Sequence, residues 1–247
     1  MKDKIALVTG STSGIGKATA QLLSKRGAKV IIGARREEQG KLVVDEINSA
    51  GGFAEFIKLD VTDENNVKEV INRITDKYGK LDFAVNNAGT AQYPVPIINT
   101  EAENFQKLLQ VNVIGVFLSL KYEIQAMINS GGGAIVNTSS INGLKSGAGS
   151  APYSATKHAV QAMTQSAALE GAGYNIRVNA VAPGPTHSEI TAAINEIQRK
   201  ALSDMIPIKR MGNADEVANG IAWLLSDEAS FVTGSTLIMD GGMHLNI

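Results

Sequence analysis

Ile5-Ala6-Leu7-Val8-Thr9-Gly10-Ser11-Thr12-Ser13-Gly14-Ile15-Gly16 is the stretch that decides the fold. A short apolar run breaks into a glycine-rich turn, and from Gly14 to Arg26 apolar residues return at helical spacing. Gly10 permits a sharp turn, Gly14 lets backbone approach a pyrophosphate, and Gly16 lets helix and sheet pack closely. The helix N-terminus supplies free N–H groups. A glycine trio alone is also what an ordinary turn contains. Placed after an apolar strand and before a helix, it reads as a dinucleotide cradle built from Gly10, Ser11, Thr12, Ser13, Gly14, Ile15 and Gly16.

The same alternation continues along the chain. Further apolar runs are Lys29–Ile32, Ala54–Leu59, Leu81–Val85, Ala134–Asn137, Ile176–Val181 and Ser235–Met239. Their near-continuous apolarity suggests strands covered on both faces. Between them, Glu37 to Ala50 and Glu64 to Tyr78 carry helical spacing, and these stretches end near Gly51 and Gly79. Strand and helix in turn imply an α/β fold, a parallel sheet with right-handed crossovers. No linker, repeat or low-complexity tract divides residues 1–247, so one domain is expected. Pro183 to Arg210 is the longest unpatterned region, with an amphipathic middle from Ile190 to Leu202. Ligands sit beyond the carboxyl ends of the strands in such folds, so residues 186–210 read as a substrate lid.

Lys plus Arg (23) nearly balances Asp plus Glu (24), leaving no field to draw in nucleic acid or an anionic membrane. A small-molecule partner is expected. The absence of cysteine excludes disulfides, thiolate nucleophiles and Cys-ligated zinc, and fits a reducing compartment. The first apolar run is far shorter than a signal core or membrane span, so a cytoplasmic location is expected. The three histidines lack ligand spacing, and no metal site is assigned.

An acidic residue for the adenosine ribose is expected about 20 residues past the last glycine. Gly33-Ala34-Arg35-Arg36 occupies that place. With no carboxylate for a 2′-hydroxyl and two guanidinium groups suited to a 2′-phosphate, NADP(H) is favoured and NAD(H) is the alternative. The plainer reading makes Arg35 and Arg36 a solvated helix start, with Glu37 and Glu38 answering the helix dipole.

Tyr153-Ser154-Ala155-Thr156-Lys157 begins a helical pattern running to about Ala172, and the spacing of four puts Tyr153 and Lys157 on one face. An adjacent ammonium lowers a phenol's pKa and makes it a usable proton-transfer group. Alone, the pair reads as a surface accident. Its company changes that: Asn86-Asn87-Ala88-Gly89, Asn112 in Val111-Asn112-Val113-Ile114-Gly115, Asn137-Thr138-Ser139-Ser140, and Pro183-Gly184. In order and spacing these motifs resemble the single-domain short-chain dehydrogenase/reductase family across essentially the whole chain.

The resemblance implies a doubly wound, seven-stranded parallel sheet, a nicotinamide cofactor, and a tetrad of Asn112, Ser140, Tyr153 and Lys157. In that scheme Ser140 bonds the substrate oxygen and Tyr153 exchanges its proton. Lys157 lowers the tyrosine pKa and bonds the nicotinamide ribose, while Asn112 holds a water linking Lys157 to solvent. Ser139 competes for the serine role, but the family's spacing of thirteen residues before the tyrosine selects Ser140. Asp60 and Val61 resemble the adenine-contacting pair, although Asp60 also reads as a helix cap. Asn87, Ala88 and Gly89 resemble the segment beside the adenosine ribose, and Thr186 the residue bonding the carboxamide. Ser13 stands where many NADP-using relatives carry a basic residue. The family also implies a homotetramer, or a homodimer, built on the helices after the fourth and fifth strands, with Asp240-Gly241-Gly242 near a second interface.

The expected reaction is hydride transfer between the cofactor and a carbonyl or secondary alcohol, first as NADPH-dependent reduction of a ketone or 3-oxoacyl thioester. NAD-dependent oxidation of an alcohol, sugar or steroid is the alternative, and a dinucleotide-sensing regulator the rival from another class. Gln92 and Tyr93 are candidates for the substrate mouth, and His187 for the lid. His158 is expected at the surface, and Trp223, among Ile221, Leu224 and Leu225, in the core.

Overall fold

A computed structural model describes residues 1–92, 94–187, 191 and 194–245. The strands are β1 (Ile5–Thr9), β2 (Lys29–Ala34), β3 (Phe53–Lys58), β4 (Phe83–Asn86), β5 (Gly133–Thr138), β6 (Ile176–Pro183) and β7 (Thr236–Met239). The helices are α1 (Gly14–Lys25), α2 (Glu37–Ser49), α3 (Glu64–Tyr78), α4 (Ala102–Leu109), α5 (Gly115–Ser130), α6 (Ala151–Ala172), α7 (Glu196–Met205) and α8 (Ala214–Leu225). All seven strands pair in parallel, in the order β3-β2-β1-β4-β5-β6-β7. This is the doubly wound sheet expected from the sequence.

Alternation along each strand fills two cores. Leu7, Ile31, Ile57, Ile135 and Val178 point to one face and pack with Val67, Ile71, Ile74, Met127 and Val160 from α3, α5 and α6. Val8, Val30, Ile32, Val136 and Val181 point to the other and meet Leu23, Ile47, Val217, Ile221 and Leu224 from α1, α2 and α8. Side chains of period two between two helical layers leave neither face of the central strands wet, which is why those strands read as apolar runs, while the edge strands β3 and β7 keep exposed positions. Trp223 corrects the sequence reading: it is 37% exposed. Val217, Ile221, Leu224 and Leu225 define the inner face of α8, and a helix of 3.6 residues per turn carries position 223 away from it.

Helix ends follow their residues. Asp63, not Asp60, caps α3 by accepting from the Asn66 N–H at 3.1 Å, and Gly79 ends that helix at φ 76°. Asn195 and Gln198 form a reciprocal capping box on α7. The run from α4 through α5, Ala102–Ser130, is long and apolar enough to cross a membrane, yet half of its most apolar window lies inside the protein. Between the two helices, Gln110–Ile114 forms a π turn. Beyond β6, Thr186 and Gly212 bridge and His187 N–H donates to the Gly212 carbonyl at 2.9 Å, while residues 188–190, 192 and 193 of the expected lid lie outside the described residues.

Candidate active site

The strand order reverses between β1 and β4, and the glycine turn lies beyond the carboxyl end of β1 at that switch point. Gly10 and Gly14 adopt φ 63° and 53°, a region that penalises any Cβ. A Cβ on Gly10 would lie 2.8 Å from Ala88 Cα, and one on Gly16 2.5 Å from both Asn87 Nδ2 and the Gly10 carbonyl oxygen. The Asn87-Ala88-Gly89 segment is thus the floor of the cradle. Asn87 Nδ2 donates to the Thr9 and Gly10 carbonyls at 3.2 and 3.1 Å, and the Asn87 and Ala88 N–H groups both reach Thr9 Oγ1 at 3.0 Å.

Ser11 is turned inward, its hydroxyl on the Val8 carbonyl at 2.8 Å. Ser13 occupies the N-cap of α1 without a side-chain cap, so the first N–H groups of that helix are available to an anion. The close backbone, positive-φ glycines and uncapped helix end fit a pyrophosphate, with Thr12, Gly14 and Ile15 on the rim.

Both arginines stand at the end of β2. The Arg36 guanidinium bonds Thr12 Oγ1 at 2.7 Å and Ser13 Oγ at 3.1 Å, so it belongs to the rim of the cradle. Arg35 is exposed and lines a surface groove with Thr62, Gln110 and Val111. Burial pushes the Asp60 carboxyl up, but bonds from the Thr62 N–H and hydroxyl, with the charge of Arg35, bring it below the usual carboxylate range. Val61 is buried beneath the groove against Gly115, where a Cβ would come within 2.7 Å of it.

The candidate acid–base residues converge beside the cradle. Ser140 follows β5 and its hydroxyl accepts from the Asn142 N–H at 3.1 Å. Burial raises the Tyr153 phenol above its ordinary value, and a hydrogen bond with the Ser140 hydroxyl works in the opposite direction. The Lys157 ammonium lies 5.7 Å from the centre of the Tyr153 ring and donates to the Thr138 carbonyl at 2.8 Å. The expected lowering of the phenol by this ammonium does not appear: desolvation dominates both groups. Burial brings Lys157 down to about 8. Ser139, in contrast, is spent inward, donating to the Lys157 carbonyl at 3.1 Å and accepting from Gln161 at 3.0 Å.

Asn112 sits fully buried in the π turn, which breaks the regular ladder where a side chain must be presented. Its amide clamps Thr90 in both directions at 2.8 Å and donates to Thr156 Oγ1 at 3.1 Å. The side chain is therefore committed to protein partners. Gly89 leaves room between the groups: a Cβ there would lie 3.3 Å from Asn112 Oδ1 and 3.7 Å from Lys157 Nζ. Thr90, Thr138 and Thr156 were not singled out in the sequence, because their roles are backbone or second-partner contacts that no motif spacing reveals.

Pro183 ends β6, and Gly184 lies against Asp240, whose Cβ would be 2.7 Å from any added side-chain carbon. Thr186 is buried with its hydroxyl on the Gly184 carbonyl at 2.9 Å. His158 is exposed, its Nδ1 paired with the Ser154 carbonyl. Gln92 Oε1 is buried without a partner, and Tyr93 lies outside the described residues.

The family model described as enoyl-(acyl carrier protein) reductase matches residues 10–244, spanning both the glycine turn and α6. The chain belongs to the short-chain dehydrogenase/reductase family. Among curated members it is 41% identical over 249 residues to an A-factor type γ-butyrolactone 1′-reductase of Streptomyces virginiae, covering 99% of this chain and 97% of that one. It is 39% identical over 243 residues to a 3-oxoacyl-[acyl-carrier-protein] reductase of Thermotoga maritima, covering 98% of each. A solved gluconate 5-dehydrogenase of Burkholderia cenocepacia, in complex with NADP and tartrate, superimposes with a TM-score of 0.94 at 32% identity, covering 100% of this chain and 97% of that one. This short-chain dehydrogenase/reductase is an oxidoreductase acting on C–OH and C=O groups with a nicotinamide cofactor, which supplies or accepts the hydride.

Proposed function

We propose that this protein is an NADPH-dependent carbonyl reductase, with a ketone or 3-oxoacyl thioester as substrate. The observation that carries the reading is the Ser140–Tyr153 hydroxyl pair with the buried Lys157 ammonium behind it, next to the glycine cradle. In this reading Ser140 holds the carbonyl oxygen, Tyr153 gives it a proton, and Lys157 supplies positive charge as the phenolate develops. Asn112 acts through Thr90 and Thr156, fixing the loop and helix that border the site. A raised phenol stays protonated at neutral pH, which suits a proton donor in the reducing direction.

Lys157 sets a pH limit. Its folded value of about 8 means that the ammonium is present below that pH and lost above it. The basic limb of kcat/KM for carbonyl reduction is therefore expected near pH 8, as an apparent value of the Tyr153–Lys157 pair. Lys157→Arg, whose guanidinium keeps its charge, should move the limb upward in whatever activity remains. A limb that stays in place removes Lys157 from the role.

Preference for NADPH rests on Arg36 at the cradle rim and Arg35 beside it. Each charged bond to a 2′-phosphate is worth about 1.5–3 kcal/mol, or roughly 10- to 100-fold in affinity. Fluorescence titration should show Arg35→Asp and Arg36→Asp each weakening NADPH by about that factor and NADH by much less. An unchanged NADPH-to-NADH ratio in both variants would sink the assignment.

A homotetrameric, cytoplasmic enzyme without nucleic-acid or membrane partners completes the proposal. Exposed Ile114, Phe117 and Leu169 on and beside α5 and α6, and Phe231 and Ile238 near the C-terminus, offer two apolar patches for self-association. The net charge of −1 favours neither polyanion nor bilayer.

A further inference from the structure

Glu123 lies in the middle of α5 with no exposed surface, and the reaction proposed above makes no use of it. Its Oε2 accepts from Asn86 Nδ2 at 2.9 Å, and the same nitrogen gives its second hydrogen to Asn137 Oδ1 at 3.0 Å. Two atoms beside this bond are left over. Glu123 Oε1 and Asn86 Oδ1 are both buried and both without a partner, and on an ionised glutamate both are acceptors. One proton carried on Oε1 turns the first into a donor for the second, and two orphans become one bond.

We propose that Glu123 works as a neutral carboxylic acid paired reciprocally with the Asn86 amide, and that this pair positions the strand ends that hold the catalytic lysine. The alternative, a carboxylate buried with one amide donor, pays a desolvation cost that a single neutral bond does not repay. Burial pushes the acid up to about 7 against the lowering effect of Asn86. The elements packed most closely on α5 are α3, the π turn Gln110–Ile114, which holds no ionisable side chain, α6, β4 and β6. No charge on them acts on Glu123, neither Glu64 of α3 nor Tyr153 or Lys157 of α6.

The bonds continue in one direction. Asn137 Nδ2 donates to Thr164 Oγ1 at 2.9 Å, and Thr164 to the Val160 carbonyl at 2.8 Å. The chain therefore ties α5, β4, β5 and α6 together. Asn86 precedes Asn87, the floor of the cradle, and Asn137 precedes Thr138, whose carbonyl anchors Lys157. Glu123 is a positioning residue, since it touches none of the reacting groups. This second half rests on Lys157 being the catalytic ammonium, whereas the protonation state does not.

The protonation state is tested without activity. Infrared difference spectra of the full chain should show the carbonyl stretch of a protonated carboxylic acid at pH 6, lost at alkaline pH and absent in Glu123→Gln. For the melting temperature, a folded value above the ordinary carboxyl value of 4.5 means stability is whole below pH 4.5 and falls until about pH 7. Gln cannot ionise and can make the same reciprocal pair. Glu123→Gln should therefore melt higher than the parent by about 5 °C at pH 8, with a smaller difference at pH 5. Equal differences at the two pH values, or no acid band, overturn the neutral state.

Positioning is tested by kinetics. Glu123→Leu and Thr164→Val should each lower kcat about tenfold with the Kd for NADPH within twofold, and the double variant should lose no more than either alone. Glu123→Gln should stay within twofold of the parent. Should Glu123→Leu not fold, Thr164→Val against the parent carries the test. Losses that multiply, a damaged Glu123→Gln, or an unaffected kcat in Thr164→Val overturn the positioning role.

Discussion

Tyr153→Phe is expected to lower kcat for carbonyl reduction by two to four orders of magnitude while leaving NADPH affinity within about threefold. The range is that of a lost general acid. The phenol is partly buried, bonded to Ser140 and close to Lys157, so the change removes one oxygen and leaves the ring in place. Folding should survive, because the ring carries the packing and the hydroxyl gives up a single neutral bond worth about 1 kcal/mol. The measurement is steady-state kinetics beside a fluorescence titration. Equal turnover by the variant would end the assignment of Tyr153 as proton donor, and equal loss of cofactor binding would show that the residue acts on the cradle instead.

Gly16→Ala is the second large effect, and it acts on binding. The added carbon would stand 2.5 Å from Asn87 Nδ2 and from the Gly10 carbonyl oxygen, closer than carbon atoms approach either. The Gly10 carbonyl is backbone, and Asn87 is held by two carbonyl bonds, so neither can yield without opening the turn. Overpacking of this kind costs about 1–3 kcal/mol. If most of that falls on the cradle, affinity for either nicotinamide cofactor drops by roughly 10- to 100-fold, without altered preference between the two. A variant that binds both as tightly as the parent would show that the turn has slack the geometry does not display.

What could be read from the sequence divides along the range of the interactions. The strands, α1 and the glycine turn are local: their residues are consecutive, and period and punctuation report them directly. Alternation reports a parallel sheet, while the doubly wound order of its strands came only with the family resemblance. Trp223 stands among apolar neighbours in sequence, yet the helical turn carries it off the buried face, which composition alone does not report. Asp60 suits a helix cap by residue type, but in the fold Asp63 takes that place while Asp60 closes a turn on Thr62. For Asn112 the family resemblance carried a position and a water-holding role, whereas the bonds of its side chain depend on Thr90 and Thr156, distant in sequence. Glu123 gave no signal, since a glutamate in a helix reads as a solvated charge until Asn86, far away in the chain, is folded onto it.

The reversal of strand order between β1 and β4 has an evolutionary consequence. The glycine turn and the two arginines belong to the first three strands, while Ser140, Tyr153, Lys157 and the segment above them follow the fourth. One half of the molecule can therefore keep its coenzyme while the other is remodelled for a new reactant, with Asn87 and Ala88 as the shared border. Natural diversification should accumulate downstream of that border, and hybrid enzymes spliced there should inherit coenzyme choice from one parent and substrate choice from the other.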